Sequence, residues 1–196
     1  DIEFAYDGHN LFLLQSRPQS FIMDSSPAPI PKDIPEENII FSANRYISNG
    51  FIQNISYIVY VDADEYHKLN DIEDLYNIGK VVGLLNSVLP KRKFILAGPG
   101  RWGSRGDIKL GVRVSYVDIC NTAALIEIAK SNKGYVPDLS FGTHFFQDLV
   151  EANIRYLPLY PDEDEVIFNS QFFLKSNNML KKIFPDYERY EDIIRV

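Results

Sequence analysis

Ile55-Ser56-Tyr57-Ile58-Val59-Tyr60-Val61 is an unbroken run of β-branched and aromatic residues, the composition of a well-buried strand. Downstream, Ile72, Leu75, Ile78, Val82, Leu85 and Leu89 recur at helical spacing, with Asn70 or Asp71 placed to cap the start and Pro90 to stop the end. Phe94-Ile95-Leu96-Ala97 then returns as a short buried strand. Strand, helix and strand in this order form the unit of a parallel sheet, because parallel neighbours need a long crossover. Working outward, residues 112–115 and 124–129 read as further strands, although residues 121–125 could equally open a helix. Residues 143–153 read as a helix, 154–159 as a strand and 169–184 as a helix, with Phe172, Phe173, Leu180 and Ile183 turned inward. The expected fold is α/β, a mixed and largely parallel sheet flanked by helices.

Composition bounds the function. In 196 residues, 45% apolar and 24% charged, a core of ordinary size needs no covalent staples. Twenty Lys plus Arg against 27 Asp plus Glu leave a net charge of −7, which argues against non-specific nucleic-acid binding. No apolar run has the length a membrane helix requires, so no membrane partner is expected. The lone Cys120 excludes an internal disulfide and fits a reducing, cytoplasmic compartment; it reads as a small core residue. His9, His67 and His144 are too scattered for a zinc site.

The N-terminal residues carry the sharpest chemical pattern. Ile2, Phe4 and Tyr6 alternate with Glu3 and Ala5, the cluster Asp7-Gly8-His9-Asn10 is a turn, and residues 11–15 return as a second strand. A lone hairpin is marginal in water, so this one is expected to belong to a larger sheet in a longer protein. Gln15 and Arg17, two apart, share a face. A three-residue loop with a bulge would bring Glu3 opposite Gln15, whereas a loop of two or four would split them. A carboxylate, a carboxamide and a guanidinium on one surface suit a nucleotide phosphate site with Mg²⁺ on the carboxylate. The same spacing also suits an ordinary solvated strand face. Residues 23–42, with Pro27, Pro29, Pro31 and Pro35, read as an extended linker between a hairpin unit at 1–22 and a C-terminal α/β domain at 43–196.

Asp-Ile-Glu-Phe-Ala at 1–5 and Leu-Phe-Leu-Leu-Gln-Ser-Arg-Pro-Gln-Ser at 11–20 resemble the end of the ATP-grasp nucleotide-binding domain in the phosphoenolpyruvate synthase and pyruvate phosphate dikinase family. Phe4 stands where the family has Trp, and Ser20 where it has Thr. The resemblance implies that Glu3 binds magnesium and phosphate, and that Gln15 and Arg17 contact the ATP phosphates. It further implies that the hairpin is the remainder of an ATP-grasp domain. Gly-Pro-Gly-Arg-Trp-Gly-Ser at 98–104 and Gly-Thr-His-Phe-Phe-Gln at 142–147 are similar to segments in C-terminal extensions of that family's relatives. The expected parent is thus an ATP-dependent phosphotransferase acting on a pyruvate-type acceptor, with ATP and Mg²⁺ as cofactors. Its partners are the nucleotide, the small-molecule acceptor and the upstream domains of the same chain, and the fragment alone is expected to be inactive.

Gly98-Pro99-Gly100-Arg101-Trp102-Gly103 formally satisfies the dinucleotide fingerprint, but Gly106 and Gly111 make the segment after it a poor helix, so that reading fails. A weaker version survives, in which Gly98, Gly100, Arg101 and Ser104, with Arg105, present amides and guanidinium groups to an anion. A structural turn with Trp102 as a packed plug fits equally. On this basis the C-terminal domain is alternatively a non-catalytic anion-binding or regulatory module. His144 is expected to open a helix capped by Thr143, where the positive helix end favours a neutral imidazole able to serve as a base. Phe145-Phe146 beside it favour instead a packed histidine. The acidic run 162–165 reads as a solvated turn.

Overall fold

A computed structural model describes residues 2–16, 28–47, 49–104, 108–131 and 134–196. Arg17, Arg105 and the first part of the expected linker lie outside the described residues. Strands β1 (Ile2–Tyr6) and β2 (Leu11–Ser16) form an antiparallel two-stranded sheet of their own. A second sheet holds β3 (Tyr57–Val61), β4 (Phe94–Pro99), β5 (Ala124–Ile128), β6 (Arg155–Leu159) and β7 (Ile194–Arg195) in the order β6-β5-β4-β3-β7. The first four of these run parallel in chain order, and β7 pairs antiparallel with β3. The fold is therefore α/β with a mixed, mostly parallel five-stranded sheet and a separate hairpin.

The parallel strands are joined by α1 (Ala63–Lys68) with α2 (Ile72–Val88), by a connection described over 100–104 and 108–123, and by α3 (His144–Glu151). All three connections cover one face, where Val59, Val61, Phe94, Leu96 and Leu125 meet Leu75, Ile78, Val82 and Leu85 of α2 and Leu149 of α3. Asp71 caps α2 by accepting from the Glu73 amide at 2.9 Å. Each of these α2 residues is essentially inaccessible, and such burial stabilises by roughly 1.5–3 kcal/mol per side chain. The opposite face, with Tyr60, Ala97, Ile126 and Leu159, is covered by Phe173 of α4 (Ser170–Lys175) and by Ile40 and Phe41.

Two expected elements differ. Residues 112–115 form no strand: Gly111 makes a single bridge to Gly100, and Ser115 opens a short 3-10 helix at Tyr116–Asp118. The apolar alternation there is satisfied by burying Val112 and Val114 against α2, without a ladder partner. The C-terminal helix is broken into α4 and α5 (Leu180–Ile183), with Asn178 in the gap bonded to the start of α5 and to the last residues of the chain. Its amide donates to the carbonyls of Glu191 and Ile194, and its Oδ1 accepts from the amides of Leu180 and Val196. Phe172, expected inward, is 44% exposed.

Gly79 of α2 touches the backbone of the segment that carries Arg113: an added Cβ would lie 2.2 Å from the Arg113 carbonyl oxygen. Gly79→Ala should therefore lower the unfolding free energy by about 1–3 kcal/mol in urea titration, although alanine is the better helix former.

Candidate functional site

The hairpin reaches its polar pairing by a different route from the one the sequence suggested. Its connection spans four residues, 7–10, held by Asp7 Oδ1 accepting from the amides of His9 and Asn10. Those amides keep the Asp7 carboxyl below its ordinary value. Tyr6 opposes Leu11 and Phe4 opposes Leu13, a register that would set Glu3 against Leu14. A bulge between Glu3 and Phe4 absorbs Leu14, and Glu3 pairs with Gln15. Carboxylate and carboxamide thus share a face after all.

That face opens on a cleft of about 1160 Å³. Glu3 and Gln15 form one wall; Arg101, Gly103 and Ser104 of the glycine-rich loop and Thr143, His144 and Phe145 at the start of α3 form another. Arg113 and Tyr76 close a further side, with the guanidinium 5.1 Å from the ring centroid and Nη1 donating to the phenol oxygen at 3.0 Å. Thr143 caps α3 by accepting from the Phe146 amide. His144 is exposed in the cleft, which overturns the packed alternative. Its Nε2 lies 3.2 Å from Glu3 Oε1, and Nδ1 lies 3.4 Å from Gln147 Oε1.

The glycine-rich loop divides. Gly98 is a buried member of β4, paired with Glu127, where an added Cβ would meet the Trp102 ring at 2.8 Å. The Gly100 amide donates to the Ile128 carbonyl at 2.9 Å. Neither glycine lines the cleft, so the expected amide cradle reduces to the side chains of Arg101 and Ser104. Gly103 serves the packing: its φ of +64° is left-handed, and an added Cβ would lie 2.5 Å from the Phe145 ring. Trp102 is fully buried, and its Nε1 has no partner among the described residues.

Beneath the loop lies a group that periodicity did not pick out. Glu127, central in β5, is 0% exposed. Its Oε1 accepts from the Trp102 amide at 2.7 Å and the Ser140 hydroxyl at 2.6 Å; its Oε2 accepts from the Ser140 amide at 2.6 Å and the Tyr156 hydroxyl at 2.7 Å. Burial pushes the carboxyl up to about 7, against the hydrogen bonds from Ser140, Tyr156 and Trp102, which favour the ionised form. Burial and the facing carboxylate both raise the Tyr156 phenol. A lone carboxylate inside the apolar run Ala124-Leu125-Ile126-Glu127-Ile128-Ala129 is the sequence signal that could have found it.

Other candidates separate from the cleft. Cys120 is partly buried, with Sγ 3.4 Å from the Val117 carbonyl oxygen. In the acidic run, Asp162 accepts from the Ser131 amide and Glu163 pairs with Arg45. Among the described residues no three His, Cys, Asp or Glu side chains converge to hold a metal ion, and no helix is long and apolar enough to cross a membrane. No family model matches the sequence, and no curated protein or solved structure matches it either.

Because Glu127 binds its proton more tightly when folded than its ordinary 4.5, its contribution to stability is full below pH 4.5 and is lost as pH rises through about 7. The stability difference between wild type and Glu127→Gln, from urea midpoints across this range, should therefore shrink steadily as pH rises.

Proposed function

We propose that the cleft binds the phosphates of a nucleotide, and that the chain is the C-terminal part of an ATP-dependent phosphotransferase similar to phosphoenolpyruvate synthases and pyruvate phosphate dikinases. The single observation that carries this reading is that Glu3 and Gln15 of the hairpin line the same cleft as Arg101, Ser104 and His144. On this reading the hairpin is the closing piece of an ATP-grasp domain. Glu3 would hold Mg²⁺, Gln15 would orient a phosphate oxygen, and Arg101 would offer paired donors to a second one. The residues fit such a group chemically: a hard oxygen donor for the cation stands across from guanidinium and hydroxyl donors for the anion. Bound Mg-ATP would supply the transferable phosphoryl group to a pyruvate-type acceptor. Arg101 and Ser104 neutralise and position it, and His144, 3.2 Å from Glu3, is held where it can take a proton. The acidic composition and lone cysteine accord with a cytoplasmic enzyme of small molecules.

A second reading is favoured by one observation: the α/β domain itself supplies Arg101, Ser104, Arg113 and Thr143 to the cleft. It would then be an anion-binding module that regulates an attached kinase.

Calorimetric titration separates the two. The protein should bind Mg-ATP and pyrophosphate and hydrolyse no ATP by itself. Arg101→Ala should weaken both ligands by about tenfold. Glu3→Gln should weaken Mg-ATP while leaving metal-free pyrophosphate unchanged; wild-type affinity for both ligands in that variant favours the module. Absence of binding by either ligand to wild type overturns both readings.

A further inference from the structure

The two loops that lie side by side on the α/β wall of the cleft, 100–104 and 140–144, have no ladder connecting them. Their shared anchor is the Glu127 carboxylate. On one side it accepts from the Trp102 amide, between Arg101 and Gly103. On the other it accepts from both the amide and the hydroxyl of Ser140. From Ser140 the bonding continues into α3: its carbonyl accepts from Thr143 Oγ1 at 2.6 Å, and that oxygen accepts from the Phe146 amide. Phe145, seated against Gly103, completes the closure. We propose that Glu127 is a positioning residue of the cleft, fixing Arg101 and Ser104 against the start of α3 so that affinity for a phosphorylated anion is set from inside the sheet. This rests on the reading of the cleft as an anion site.

A carboxylate suits this role because both oxygens only accept, and four donors converge on them. A carboxamide would turn a donor towards either the Trp102 or the Ser140 amide, leaving one buried N–H unpaired. Protonation is different. The added hydrogen can go to Ser140 Oγ, which then donates to the Trp102 carbonyl oxygen 3.0 Å away. Titration of Glu127 thus rearranges bonds at Trp102, the single tryptophan of the chain. Among the described residues, the titratable group in contact with Glu127 is Tyr156 of β6, and Tyr160 feels its charge. Opposite on β4 stands Gly98, on β6 Pro158, and the α3 residues in the core on this face, Phe145, Phe146 and Leu149, are apolar.

The test uses the whole chain as wild type, Glu127→Gln and Ser140→Ala, with pyrophosphate as the probe. Trp102 emission in wild type should titrate with a midpoint near 7 and be flat in Glu127→Gln, because the Trp102 amide is bonded to that carboxylate. Amide exchange of 101–104 and 140–144 should rise together in Glu127→Gln by about tenfold or more, with β3 and α2 unchanged. Pyrophosphate affinity should fall by about tenfold in Glu127→Gln and by less in Ser140→Ala. Wild-type exchange at both loops in Glu127→Gln, or an increase spread evenly over β3 and α2, overturns the proposal. Should Glu127→Gln fail to fold, Ser140→Ala decides, by linked or unlinked exchange of the same two loops. A wild-type protein that binds no pyrophosphate overturns the anion reading and the affinity claim with it, while the exchange result still decides the positioning role.

Discussion

The Glu127 carboxylate joins parts of the chain that lie 25, 13 and 29 residues away: Trp102, Ser140 and Tyr156. Removing a charge of this kind from water costs several kcal/mol, and no cation is among its hydrogen-bond partners to offset it. Four short bonds from neutral donors offset part of it, and the remainder holds the carboxyl above its ordinary value. The cost of failure is correspondingly high. An apolar side chain at this position would leave the Trp102 amide, both Ser140 groups and the Tyr156 hydroxyl to find other partners in an apolar layer. The geometry of the cleft is therefore inherited from the sheet.

Electrostatics imposes a second constraint. A chain carrying −7 repels anions at long range, yet screening reduces that field beyond about 8 Å at physiological salt. An anion inside the cleft meets a local field: Arg101 and Arg113 on the α/β side, Glu3, Asp118 and Asp148 around them. On the proposed reading, a ligand that brought its own cation would answer both signs of these walls, the cation facing the carboxylates and the anion facing the guanidinium groups.

Much of the sheet was legible because its signals are local and redundant. The strand at 57–61 and the helix at 72–88 follow from a β-branched run and from apolar spacing with a capping Asp71. The features that escaped were decided by tertiary partners. Val112 and Val114 alternate like a strand but are buried by α2, so the pattern reports burial and not a ladder. Asn178 stands in the break between two short helices with bonds to Glu191 and Ile194, which no local window contains. The hairpin register was legible only in its outcome: a four-residue loop would have separated Glu3 from Gln15, and the bulge at Leu14, invisible in the spacing, reunited them. In the site, Arg101, Ser104 and His144 were readable as polar residues at glycine-rich turns. Gly98 and Gly100 were not, because their backbones belong to the sheet.

The two walls of the cleft are held by interactions of different strength. On the α/β side, the fully buried Glu127 bonds fix the loops. On the hairpin side, the contact between Glu3 and His144 has both side chains more than half exposed, and even a charged pair so exposed contributes only about 0–1 kcal/mol. The hairpin also leaves Ile2, Phe4, Tyr6, Leu11 and Leu13 exposed, so little apolar burial adds to that pair. A ligand confined to the α/β wall would gain nothing from Glu3 or Gln15. One that bridged both walls, with a cation on Glu3 and an anion on Arg101, would add charge-assisted bonds exceeding the pair it displaces. On the proposed reading, a metal-paired polyphosphate long enough to span the cleft would engage both walls, which a single small anion would not.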